Sequence, residues 1–510
     1  MADPGLLLGL DAGNTVIKAV LFDRRGRQLA SSQRNGALHM PAPGHVERDL
    51  DELWSNAAVV IRECLGRAGV DGSDVAAIGC AGHGNGLYLL DRDGGPLLAI
   101  QSLDMRAADV AAALRSGGNA ERLHALCLQA PWPAQTPTLL AWVRRHAPDV
   151  YSRVGTAFLC KDFVTWKLTG RRVSDVSDLS GAGFVRMPEG RYDDDLLDAY
   201  GLGDARGLLP DLLRPTDIAG AVTAEAASAT GLVAGTPVVA GLFDVVASAL
   251  GSGAAEPGEA SIIAGTWSIN QVIAREPIVD ARVFMVSRFG PERVMAIESS
   301  ATSAANLEWY VRELVERGGH VDDPFGACNA RVAAVVPAAD DPFFHPFLYG
   351  SGQGAFMRAG FYGIAGWHGE GHLLRALFEG VAFEHRRHVD VLRAAGVRFE
   401  RAALSGGGAR SAVWPQMFAD VLGIPITVAD CTETGALGAA IAAGVGVGAF
   451  PDLAAGVRAM TRRRHAFDPD PGMTAHYDGR YRTYGMLTAA LKPLWLRMAA
   501  APTGVSADGG

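Results

Sequence analysis

The chain opens on an apolar run, Leu6-Leu7-Leu8-Gly9-Leu10, then a polar turn, Asp11-Ala12-Gly13-Asn14-Thr15, then a second apolar segment from Val16 to Phe22. Short apolar runs bounded by turn formers read as buried strands, so this stretch predicts a β-hairpin, with Asp23-Arg24-Arg25-Gly26 turning into a third strand. The pattern returns later as Ala260 to Ala264, the tip Gly265-Thr266-Trp267-Ser268, and Ile269 to Ala274. One such hairpin opening each half of the chain suggests an internal duplication with a period much longer than a solenoid repeat. Helical spacing of apolar residues runs from Asp49 to about Arg67, carried by Leu53, Trp54, Ala57, Val60, Ile61 and Leu65. Shorter helices are predicted over Leu139 to His146 and Asp162 to Leu168, the latter stopped by Gly170. In the second half, Gly371 to Leu392 reads as a long helix. Ala402 to Leu404 reads as a strand, and Ser411 to Leu422 as a helix with Ser411 as its N-cap and Pro415 in its first turn. The Ala/Gly-rich, uncharged run Thr434 to Phe450 is rather short to span a bilayer and predicts a closely packed internal helix.

One stretch concentrates the chemistry. Gly235-Thr236-Pro237-Val238-Val239-Ala240 predicts a turn and a buried strand, and Val245 to Leu250 predicts a buried helix. Gly241-Leu242-Phe243-Asp244 therefore places Asp244 where a strand hands over to a helix, the usual ligand position in open α/β sheets. Apolar neighbours would raise the pKa of this carboxylate toward that of a useful base. The competing reading is a helix cap. The hairpin tip at residues 11–15 offers backbone N–H groups and the Thr15 hydroxyl to a phosphate, and Asp11 could hold Mg²⁺ through water. An ordinary hairpin turn explains the same residues. The loop Gly82-His83-Gly84-Asn85-Gly86 carries two side chains able to grip hydroxyls, and a polar turn is the alternative. Asp104 and Arg106 could bind a sugar or pair with each other. His385 and His388 form a core or surface pair rather than a metal site, since no third ligand is in view. There is no Gly-Lys dipeptide, so a P-loop is excluded.

Composition changes this picture only by exclusion. With 510 residues, 49% of them hydrophobic and 20% charged, the chain can form two or more domains. A net charge of −9 argues against nucleic-acid or membrane-surface binding through bulk positive charge. Six scattered cysteines without a Cys-x-x-Cys pair fit a reducing, cytoplasmic setting. No basic, apolar leader precedes the first strand, so no signal peptide is expected. Gly251-Ser252-Gly253-Ala254-Ala255-Glu256-Pro257-Gly258 is the linker candidate. It sets domains at 1–254 and 255–500, with 501–510 expected to be a disordered tail.

Taken together, these stretches resemble the FGGY carbohydrate kinases of the actin/hexokinase/heat-shock ATPase superfamily. The resemblance covers Leu6 to about Arg497 and rests on the two hairpin tips, Lys167-Leu168-Thr169-Gly170 and Gly241 to Asp244. It rests also on Ser405-Gly406-Gly407-Gly408-Ala409-Arg410-Ser411, Gly350-Ser351-Gly352, and Glu433 with Gly435-Ala436-Leu437-Gly438. It implies an α/β fold of two ribonuclease-H-like domains with the active site in the cleft between them. It implies Asp244 as the base that takes a proton from a sugar hydroxyl as that oxygen attacks the γ-phosphate of MgATP. It also implies a first phosphate hairpin with Asn14, Thr15, Lys18 and a Mg²⁺-organising Asp11, and a second with Gly265 and Thr266. Gly407, Gly408 and Ala409 would border the adenosine pocket, and His83, Asn85, Asp104 and Asp244 would face the sugar. Gly241 to Val246 looks most like L-xylulose kinases, because D-xylulose kinases usually carry Asn where Val245 stands. Erythritol-type kinases are also similar, around Phe158 to Asp162. The expected ligands are ATP, Mg²⁺ and a small sugar or polyol, and a homodimer is left open. An actin-like ATPase and a non-catalytic sugar-binding regulator are the readings from other classes.

Overall fold

The computed structural model describes residues 5–354 and 356–500, so the tail expected at 501–510 lies outside the described residues. The opening apolar run is a strand, Leu6–Ala12, paired antiparallel with Val16–Phe22, which pairs antiparallel with Gln28–Asn35. The other edge of Leu6–Ala12 runs parallel to Val75–Gly82, and that strand runs parallel to Pro237–Val239. The second half repeats the plan. Ala260–Ala264 pairs antiparallel with Ser268–Ala274, which pairs antiparallel with Arg293–Ser300. Ala402–Ser405 and Ile426–Ala429 follow parallel on the other side. In both sheets the five strands just named lie in the same spatial order, the ribonuclease-H-like arrangement in duplicate, with Ile218–Ala221 added beyond Pro237–Val239 in the first sheet and Met285–Gly290 added beyond Arg293–Ser300 in the second.

Leu7, Leu8 and Leu10 are fully buried, because helices cover both faces of the first sheet. The amphipathic helix Leu50–Ala68, capped by the Asp49 carboxylate on the Glu52 N–H, packs on one face. The other face receives Thr434–Gly446, a helix from the far end of the chain whose first eleven residues are all buried. Its backbone lies against the sheet because the facing residues lack side chains. A Cβ at Gly9 would come within 1.9 Å of the Ala436 carbonyl oxygen, and one at Gly79 within 2.0 Å of that of Ala439. Gly438 meets the helix Asp244–Gly251 in the same way, 1.9 Å from the Ala247 oxygen. The strands of the second sheet all follow residue 254, yet this helix forms a layer of the first half.

Two local expectations change. The glycine-rich stretch at 251–258 is not an open linker. Ser252, Ala254 and Ala255 are buried, and the Glu259 carboxylate accepts from the Ala255 and Glu256 N–H groups. Small residues here allow a packed turn. The helix predicted from Ser411 begins at Trp414, preceded by a 3₁₀ turn over Gly407–Arg410. The Ser411 hydroxyl still accepts from the Val413 and Trp414 N–H groups, at 3.1 and 3.0 Å. His385 and His388 are buried and bonded to Asn270, Ser300 and Ser303, which settles them as core residues of the long helix Glu370–Ala394. Among the described residues no cluster of three or more His, Cys, Asp or Glu is arranged to hold a metal, and no helix is long and apolar enough to cross a membrane.

Candidate active site

Asp244 follows the two-residue strand Leu242–Phe243, which runs parallel to Ala81–Gly82. Gly241 makes the turn into it with φ +89°, and a Cβ there would strike the Cys80 carbonyl oxygen at 2.0 Å. The helix Asp244–Gly251 has Phe243 at its N-cap position, so Asp244 is the first helical residue and does not serve as the side-chain cap. Its carboxylate instead lines a cavity of about 160 Å³. Burial pushes its pKa well above the ordinary carboxylate range, and the negative charge of Asp11 pushes it further. The Val245 N–H offsets only part of this.

A buried ionic cluster stands against this turn. Lys161, fully buried, is ion-paired with Asp162, with Asp175 at 2.7 Å and with Asp178 at 3.8 Å. Asp175 accepts from the Ser177 hydroxyl, and the Ser177 oxygen accepts from the Phe243 N–H at 3.1 Å. One cation among three carboxylates leaves the cluster short of positive charge, and burial with like-charge repulsion raises Asp178 well above its usual value. The sequence reading missed this cluster as a unit. Its available signal was the rarity of lysine, since Lys161 is one of few in an arginine-rich chain.

The hairpin tips border the same cleft. Gly13 donates to the Val16 carbonyl at 3.0 Å and Gly265 to that of Trp267 at 3.3 Å, leaving Thr15 and Thr266 exposed at matching positions. Burial raises the Asp11 pKa to about 6; Lys18 pulls it down and Glu433 pushes it up. Lys18 is ion-paired to Glu433 at 2.9 Å and lines a larger cavity of about 690 Å³ with Gly407 and Ala409. Gly435 is required beside Asp11, because a Cβ would lie 2.4 Å from the Asp11 Oδ2. Asn14, expected on the phosphate side, lies at the boundary with the sugar-side cavity. Its Nδ2 donates to the Ser102 Oγ at 2.9 Å, and both residues line the 160 Å³ cavity with Asp244.

His83 and Asn85 reach that cavity and are 3% and 2% exposed. His83 Nε2 is bonded to the Tyr88 hydroxyl at 2.8 Å, while its Nδ1 and the Asn85 Oδ1 are buried without a partner. Burial, then the charge of Arg48, lowers the His83 pKa to about 3, so the ring is neutral. Asn85 holds φ +63°, a left-handed backbone that asparagine tolerates better than most side chains. Both residues, His83 and Asn85, line the cavity, where neutral polar side chains of this kind suit a polyhydroxylated ligand. Asp104 is not among the lining residues. Its carboxylate takes the Arg106 Nε at 3.0 Å and the Val46 N–H at 2.6 Å, and Arg106 also reaches Glu47 at 2.8 Å. Of the two readings for Asp104 and Arg106, the geometry takes the internal pair. Trp132 and Phe284, with ring centroids 6.1 Å apart, close the cavity from the two halves of the chain. Neither was singled out in the sequence, where an isolated aromatic carries no periodic signal.

The glycine loop divides its labour. Gly407 faces open space, with no heavy atom within 4 Å of an added Cβ, and it borders both the 690 Å³ cavity and a second one of about 600 Å³. Gly408 instead packs inward, 2.6 Å from the Ala264 Cβ. A Gly407→Val variant should therefore fold normally and raise the KM for ATP far more than that for sugar. Steady-state kinetics in both substrates check this, and equal effects would count against a nucleotide role for the loop.

The chain is similar along its length to known proteins. The N-terminal domain of the FGGY family of carbohydrate kinases matches residues 6–251, and its C-terminal domain matches residues 260–447. The chain is 37% identical over 496 residues to the L-xylulose/3-keto-L-gulonate kinase of Escherichia coli (strain K12), covering 96% of this chain and 98% of that protein. It is 34% identical to the probable L-xylulose kinase of Pasteurella multocida (strain Pm70), covering 96% and 99%. The crystal structure of xylulose kinase from Rhodospirillum rubrum superimposes with a TM-score of 0.86 at 31% identity, covering 96% and 99%. Members of the family take ATP as phosphate donor, generally with a divalent metal. A duplicated ribonuclease-H-like fold, a carboxylate at the strand-to-helix turn and this full-length likeness have one reading: the chain belongs to the FGGY family of carbohydrate kinases and is a sugar kinase.

Proposed function

We propose that the protein transfers the γ-phosphate of MgATP to a hydroxyl of a small ketose, with L-xylulose as the best acceptor and Asp244 as the base. The observation that carries this reading is the position of Asp244. It lines a cavity together with the neutral polar side chains of Asn14, His83, Asn85 and Ser102, and it lies close enough to Asp11 for their charges to interact. The sugar hydroxyl gives its proton to the Asp244 carboxylate. Its oxygen forms the bond to the γ-phosphorus as the bond to the β-phosphate oxygen breaks and ADP leaves. His83 and Asn85 orient the sugar, and the indole of Trp132 and the ring of Phe284 exclude water that would otherwise compete as acceptor. Asp11, the carboxylate at the hairpin tip, fits Mg²⁺ held largely by water and phosphate. When bound, the ion neutralises charge on the phosphate oxygens.

Val245 follows the base, lines the cavity and offers no side-chain hydrogen bond. A sugar hydroxyl left unpaired against it is penalised by ~1–3 kcal/mol, which separates ketopentose epimers. The relatives' names point to L-xylulose among them. The test is kcat/KM for L-xylulose, D-xylulose, L- and D-ribulose and erythritol. L-xylulose is expected to lead, and D-xylulose ahead of it by more than tenfold would sink the substrate assignment while leaving the kinase intact. His83→Ala should raise the KM for sugar at least ~10-fold, a lost buried hydrogen bond, with the KM for ATP unchanged.

A further inference from the structure

The E. coli relative is named for two acceptors, a neutral ketose and a ketose acid. The cavity around Asp244 bears on which of these this chain takes. Among the described residues lining it there is no lysine and no arginine. Its ionisable groups are the Asp244 carboxylate and His83, and His83 is held neutral by burial. Arg48, whose charge helps to keep His83 neutral, is itself buried, donates its Nη1 to the Gly13 carbonyl and is not part of the lining. Apart from Asp244, the polar side chains in the lining, Asn14, His83, Asn85, Ser102 and Ser299, are neutral. Each suits a hydroxyl. Trp132, Phe284 and Val245 supply apolar surface over which a second charge would be desolvated.

From this lining we infer that the acceptor is restricted to uncharged ketoses and polyols, and that sugars bearing a carboxylate are rejected by the missing cation and by repulsion from Asp244. The inference rests on the reading of this cavity as the sugar site. It separates the chain from a relative whose name includes 3-keto-L-gulonate.

The experiment measures sugar-dependent ADP release by the full-length enzyme with L-xylulose, erythritol and 3-keto-L-gulonate at fixed MgATP. The acid is expected to have a kcat/KM at least ~10²-fold below that of the best neutral acceptor, the scale of an uncompensated like-charge contact. The acid falling within tenfold of the best neutral acceptor overturns the restriction while leaving the sugar site in place. No response to any of the three would bring down the reading of the cavity, and the restriction with it. Leu103 lines the cavity and is 37% exposed, so a longer side chain there has a path to solvent. Leu103→Arg should supply the missing cation and raise the acid-to-neutral ratio of kcat/KM at least tenfold. A level ratio would count against charge as the determinant.

Discussion

Asp244→Asn is expected to lower kcat at least ~10²-fold, the usual worth of a positioned general base, with little change in the KM for ATP. Asparagine keeps the size and one acceptor oxygen of the side chain, puts an NH2 donor in place of the other, and removes its charge and basicity. The same change should raise thermal stability at neutral pH. Asp244 has a folded-state pKa well above 3.8, raised by burial and then by Asp11. A carboxylate of this kind binds its proton more tightly in the folded protein, so stability falls as pH rises from 3.8 through the folded value and stays lost above it. The amide has no such cost. For the same reason the acid limb of kcat/KM in the wild type should lie well above pH 3.8. A variant with near-normal kcat, or one less stable than wild type at pH 7.5, would remove Asp244 from this role.

Asp11→Asn should also reduce kcat at least ~10²-fold if Asp11 is the carboxylate that organises a divalent ion on the phosphate side, as proposed above. Here the stability arithmetic has a number. A shift from 3.8 to about 6 means that the ionised form costs the ligand-free fold on the order of 3 kcal/mol above pH 6. Stability contributed by protonated Asp11 is present below 3.8 and is lost as pH rises from there through 6. The variant should therefore melt higher than wild type at pH 7.5, and the gap should close toward pH 4. Mg²⁺ with ADP should raise the Tm of the wild type more than that of the variant, because a ligand bound only to the folded state stabilises it by mass action. Scanning calorimetry at the two pH values, with and without MgADP, reads all three effects. An equal MgADP response in both proteins would take Asp11 out of the metal site.

Most elements were legible because their local patterns and tertiary roles agree. The first strand of each hairpin, Leu6–Ala12 and Ala260–Ala264, is largely buried, so it reads as a mainly apolar run bounded by turn formers. The long helix Glu370–Ala394 carries its apolar stripe at helical spacing, and Gly170 ends the helix Cys160–Thr169 in a left-handed cap, as expected. Boundaries were less legible. Ser411 was read as starting a helix that begins at Trp414, because its hydroxyl reaches the same N–H groups from an intervening turn.

The sequence by itself determined the α/β class, the duplication of the hairpins, the strand-to-helix setting of Asp244 and the family to which those stretches belong. Each is encoded within a few residues, where spacing and turn chemistry act directly. Only the tertiary structure decided the rest. It joined Asp104 to Arg106 and so withdrew it from the sugar side, and it placed Asn14 against Ser102. It gathered Lys161, Asp162, Asp175 and Asp178 behind the base. It brought Trp132 and Phe284 from opposite halves of the chain over one cavity, and laid Thr434–Gly446 on a sheet built from the other end. These are contacts between distant segments. The charge, burial and desolvation that set their chemistry arise only when packing brings the segments together.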